Sequence, residues 1–85
     1  NYPNPFNPET TIRYSVKETS PVTIEVYNLK GQLVRTLVNE VKTAGNYSVV
    51  WNGRDNHNQP VSSGVYFYKM NAGKYSSTKK MIMMK

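Results

Sequence analysis

The side chains able to do chemistry are few, and their spacing suits none of the usual mechanisms. His57 is the single histidine of the 85-residue chain, cysteine is absent, and the acids are Asp55 with Glu9, Glu18, Glu25 and Glu40. General acid–base catalysis needs titratable groups converging on one reacting atom, and nucleophilic catalysis needs a hydroxyl or thiol with a base beside it. Asp55 and His57 are close in sequence, but both fall in NGRDNHNQP, a run of turn formers whose side chains are expected to face solvent. Nothing marks one serine as a nucleophile. The same loop offers Asp55, Asn56 and Asn58 as oxygen ligands for calcium. With one carboxylate and no bidentate glutamate downstream, a hairpin loop is the better reading. Without cysteine, neither a thiolate metal site nor a disulfide can form. The residues therefore predict a non-catalytic protein with no cofactor and no metal.

The elements that would position any site are strands. Ile12, Tyr14 and Val16 alternate with polar neighbours, and Val22, Ile24 and Val26 repeat the pattern after Pro21, which gives each segment one apolar face. A turn is expected over Tyr27–Gly31, with Asn28 or Gly31 at positive φ, followed by a strand over 32–38. In that strand Leu33, Val34, Leu37 and Val38 are spaced as on a helix. Thr43–Asn46 marks another turn before Tyr47, Val49 and Trp51, the single tryptophan and a core residue by default. The segment SSGVYFY places Gly64 two residues before Tyr66. That spacing resembles the tyrosine corner of immunoglobulin-like sandwiches, in which the hydroxyl bonds backbone a few residues upstream. The turn count predicts about seven short strands and no helix.

Composition narrows the class further. One domain of this size buries only roughly 60 to 65% of the surface its unfolded chain exposes, so its stability is modest. The net charge is +6, yet Lys17, Lys30, Arg35, Lys42 and Arg54 are scattered singly and only the segment from Lys69 to Lys85 is enriched. A dense basic stripe interleaved with aromatics is missing, which argues against nucleic acid. No apolar run approaches the ~20 residues of a membrane span. The chain opens at Asn1 without an initiator Met, so it is expected to be part of something longer, with any export signal upstream. Residues 1–9 read as a proline-rich entry segment, with Phe6 at one end of the sandwich, and 10–85 as the sandwich itself.

The closing SSTKKMIMMK is too apolar for a solvated tail and reads as a strand running to the last residue. Lysines guarding a sheet edge against stray pairing explain part of its composition. Uncovered, such a strand could also pair with a partner through its backbone.

These motifs occur in a familiar order: YPNPFNPETTIRYSV, VYNLKGQLVRTL, AGNYSVVWNGRD, SGVYFYKM and KKMIMMK. Together they resemble the type A C-terminal sorting domain of proteins exported by the type IX secretion system. They are also similar to the immunoglobulin-like domain of flagellar hook-capping proteins. The resemblance covers essentially the whole chain. It implies an immunoglobulin-like antiparallel β-sandwich that carries an upstream cargo domain of the same polypeptide through the periplasm of a Gram-negative bacterium. Outer-membrane secretion machinery would read it and deliver the cargo to the cell surface or medium, without membrane insertion. Lys79, Lys80, Met81, Ile82, Met83, Met84 and Lys85 match the terminal sorting motif. Tyr2, Pro3, Asn4 and Pro5 match the opening motif and Gly64 and Tyr66 the glycine-tyrosine motif, which with Trp51 serve folding. Asn58 replaces the usual glycine of its turn, and the ending is richer in Met than most. An alternative is a structural or carbohydrate-binding immunoglobulin-like accessory module, with the sugar platform drawn from Tyr14, Tyr27, Tyr47, Tyr66, Tyr68 and Tyr75.

Overall fold

Alternating side chains produce six strands. The computed structural model describes residues 9–84, so the opening motif Tyr2–Pro5, Phe6 and Lys85 lie outside the described residues. The strands are β1 (Thr10–Val16), β2 (Ser20–Asn28), β3 (Leu33–Lys42), β4 (Gly45–Trp51), β5 (Gly64–Ala72) and β6 (Tyr75–Met83). All pair antiparallel, and no helix occurs among the described residues. They form two sheets, β1-β4 and β3-β2-β5-β6, in an all-β immunoglobulin-like sandwich. Among the described residues six strands stand where about seven were expected. Between Trp51 and Gly64 there is only an isolated bridge, Arg54 to Pro60. This segment joins strands of different sheets, so the expected hairpin loop is instead a cross-sheet connection containing one tight turn.

The inner faces follow the period of two. Ile12, Tyr14 and Val16 from β1 and Val22, Ile24 and Val26 from β2 are all buried, as are Val38, Met70 and Met83. Each wholly buried Val or Ile contributes about 1.5–3 kcal/mol of transfer free energy. In β3 the helix-like spacing has a different cause. The register passes from Val38 opposite Ile24 to Thr36 opposite Glu25, and from Arg35 opposite Val26 to Leu33 opposite Tyr27. Leu37 and Val34 are the residues left over at these two shifts. Both pack against the core, because a bulge re-aims a side chain that strict alternation would turn outward.

Turn chemistry closes the ladders. Tyr27 and Asn28 belong to β2 rather than to a turn, and Asn28 Oδ1 accepts the backbone N–H of Lys30 at 2.9 Å and of Gln32 at 3.0 Å. Gly31 holds φ 80 within that loop. The two-residue turn between β5 and β6 needs positive φ, which Gly73 supplies at 59°.

Trp51 joins the sheets. It has no exposed surface, lies edge-on to Tyr66 with ring centroids 5.2 Å apart, and shares a cluster with Val26 and Met83. Its Nε1 donates to the Arg54 carbonyl at 2.9 Å, so the indole's one polar group is satisfied. Trp51→Ala is expected to lower unfolding free energy by about 3–5 kcal/mol, measured by urea denaturation. A loss below about 1 kcal/mol would show that the cluster does not bind the sheets together.

Candidate recognition surface

The sequence motifs assemble around β6. This strand pairs with β5 along one side and has no strand on the other among the described residues. Its side chains split by parity. Met83 is 2% exposed and Met81 half-buried on the inner face, whereas Ile82 at 63% and Met84 at 77% point outward with Lys80. Ile82 therefore leaves the core to the methionines on either side of it. Lys79 shares the inner-face parity of Met81 and Met83 yet is exposed, because neither β1 nor β4 covers that part of β6.

Gly64 opens β5 opposite Met83, and Tyr66 is buried beside Trp51. The Tyr66 hydroxyl donates to the Ser62 carbonyl at 2.6 Å, tying the end of the cross-sheet connection to the strand that supports β6. The start of the same connection is organised by Asp55. Its Oδ1 accepts the backbone N–H of His57 at 2.9 Å and of Gln59 at 3.0 Å. These bonds, that from Gln59 first, hold the carboxyl below the usual 3.8 for aspartate. Asn58 sits at φ 62, a conformation that asparagine tolerates better than most residues. Arg35 Nη1 donates to the Asp55 carbonyl at 2.8 Å, and the Asn56 side chain accepts the N–H of Thr36, so the turn is pinned to β3. Of the loop side chains weighed as calcium ligands, Asp55 and Asn56 thus already accept backbone N–H groups. No group of three or more His, Cys, Asp or Glu placed to hold a metal occurs among the described residues.

A groove of about 1200 Å³ runs from β1 and the first half of β4 to the β5–β6 hairpin. Arg13 on β1, Lys17 just past its end, Lys74 in the hairpin turn and Lys79 on β6 all line it, with Glu18 as the lining acid. Lys17 is among the charges that look scattered in the sequence, whereas Lys74 and Lys79 belong to the enriched segment 69–85. The groove brings that segment together with Arg13 and Lys17, a juxtaposition no local pattern shows. Of the tyrosines weighed as a sugar platform, Tyr14, Tyr47, Tyr68 and Tyr75 line this groove and Tyr27 and Tyr66 do not. Tyr14 and Tyr66 are buried, Tyr14 stacking on Tyr47 at 5.5 Å, and Tyr75 at 57% is the mostly exposed member of the set.

A family model described as the FlgD Ig-like domain matches residues 7–76. The chain belongs to the FlgD Ig-like domain family. The match ends at the second residue of β6, so Lys79–Met84 lie beyond it. Among solved structures, FlgD from P. aeruginosa is similar to this FlgD Ig-like domain with a TM-score of 0.68 and 22% identity. The similarity covers 88% of this chain and 59% of that one. Dimeric latent PorU from Porphyromonas gingivalis matches with a TM-score of 0.66 and 22% identity, over 95% of this chain and 8% of that one. At such identities the likeness carries the fold. The domain spans 59% and 8% of these two chains, less than two thirds of either. No curated protein sequence matches it significantly.

Two outcomes follow from this geometry. Tyr66→Phe should cost about 0.5–1.5 kcal/mol through the lost bond to Ser62; an unchanged urea midpoint would count against that role. The carboxyl of Asp55 titrates lower folded than unfolded, so its contribution to stability is complete above 3.8 and is lost as pH falls through the lowered folded value. Asp55→Asn should therefore flatten the fall in melting temperature below about pH 4, whereas parallel falls in both proteins would exclude the loop carboxylate as the source.

Proposed function

We propose that this Ig-like domain is a C-terminal sorting domain of the type IX secretion kind. It would carry an upstream cargo of the same polypeptide across the outer membrane of a Gram-negative bacterium, to the cell surface or medium. The observation that carries the reading is the state of β6. Met83 anchors the strand in the Trp51 cluster while Lys79, Lys80, Ile82 and Met84 stay exposed on an open sheet edge. A receptor reading this strand would meet a shaped, folded surface, and the motif resemblance falls on the same residues. The partial coverage of PorU and FlgD adds support, since the fold occurs within longer chains. A non-catalytic role agrees with the dispersal of His57 and the acids.

Family membership also favours a second reading, in which the domain is a structural immunoglobulin-like module with no sorting role. Export separates the two. Fusing residues 1–85 to a neutral periplasmic reporter should release it from a bacterium that has the secretion system. Substituting Lys79, Lys80 and Lys85 with Gln should reduce export while leaving the melting temperature nearly unchanged, because exposed lysines contribute little to stability. A fusion that folds but stays in the periplasm would favour the structural module.

A further inference from the structure

We propose that the groove between β1 and the β5–β6 hairpin is a docking site for an extended acidic peptide, which adds to β1 as a third strand of the smaller sheet. The proposal needs no export machinery, although Lys79 belongs both to this groove and to the sorting motif.

Unequal sheet width creates the site. Four strands on one side face two on the other, so the smaller sheet cannot cover the whole inner face opposite. Which part stays open follows from β4. A second hollow, of about 270 Å³, is lined by Leu37, Val38 and Asn39 of β3 and by Ser48 and Val49 of β4, which puts β4 on the β3 side. The edge of β1 away from β4 therefore faces β5 and β6, and it pairs with no strand among the described residues. A free edge offers a row of backbone donors and acceptors at the spacing of a peptide, which a glycan or a nucleic acid cannot match.

Charge selects the occupant. Arg13, Lys17, Lys74 and Lys79 line the groove and make no ion pair among the described residues; the salt bridge found there joins Lys42 to Glu40, outside it. Glu18 is the acid that offsets them. A second copy of this chain, net charge +6, would bring cations onto cations. An acidic strand would instead set its carboxylates on the outward side beside Arg13 and bring negative charge into the field of Lys17, Lys74 and Lys79. Its alternate apolar residues would cover Tyr68, Met70 and Ala72 on β5, of which Tyr68 and Ala72 are only half-buried. Tyr14, Tyr47, Tyr68 and Tyr75 also line the groove, so an acidic sugar is the competing occupant that the test has to exclude.

The test is a titration of the full chain followed by amide NMR. The probes are a peptide of about eight residues, the length of an ordinary strand, alternating Glu with Val, and the same peptide N-methylated at every second residue. An oligogalacturonate serves as a third probe. The acidic peptide should bind and slow amide exchange along β1. Its affinity should fall about tenfold or more on charge reversal by Arg13→Glu with Lys79→Glu, and N-methylation of the bonding edge should abolish binding. Arg13→Gln with Lys79→Gln, milder for the fold, should weaken binding in the same direction. Lack of binding, equal binding of the N-methylated peptide, indifference to both sets of substitutions, or tighter binding of the oligogalacturonate would each overturn the proposal.

Discussion

The burial of Trp51 is the constraint on which the remaining architecture rests. A two-stranded sheet has little apolar surface of its own, so β1 and β4 need a strong attachment to the larger sheet. Trp51 provides it at the end of β4, where it contacts Tyr66 of β5 and shares a cluster with Val26 of β2 and Met83 of β6. Its indole N–H is satisfied by Arg54, and the segment leaving it is held by Asp55, Arg35 and Asn56 on one side and by the Tyr66 hydroxyl on the other. The irregular cross-sheet connection is therefore bonded at both ends, and β5 enters the sheet at a defined place. With β5 fixed, β6 follows through a two-residue turn.

Much of this was legible in the sequence where one residue's environment depends on its near neighbours. Alternation in β1 and β2 predicts their buried faces residue by residue, since β1 pairs with β4 and β2 with β5 without a register shift. The spacing of Gly64 and Tyr66 points to a hydroxyl bond with upstream backbone, and such a bond joins Tyr66 to Ser62. The legibility fails where pairing is irregular or partners are remote. In β3 the helix-like pattern is the signature of two bulges, which only the partner strand defines. The connection after Trp51 has the residues of a hairpin, yet β4 and β5 belong to different sheets, a fact set by β1 and β2 far upstream. In β6, composition alone could not assign Met81 and Met83 to the core and Ile82 to solvent.

Charge was legible only in part for the same reason. Lys74 and Lys79 fall in the basic segment 69–85, but Arg13 and Lys17 are remote from it in sequence, and the folding of β1 against the β5–β6 hairpin brings all four to one groove. Electrostatic surfaces of β-sandwiches are often hidden in this way, because adjacent strands in a sheet can be remote in the chain. The interior that supports these edges and grooves holds no buried charged residue among the described residues.

The position of Met83 has a consequence for biosynthesis. Its side chain occupies the cluster around Trp51, so the centre of the molecule lacks one wall until nearly all of the described chain has left the ribosome. Local hairpins can form earlier, but the contact that seals the two sheets waits for β6. The last step in assembling this domain therefore waits for β6, and a chain cut short of Met83 carries an unsealed interior that proteases can recognise.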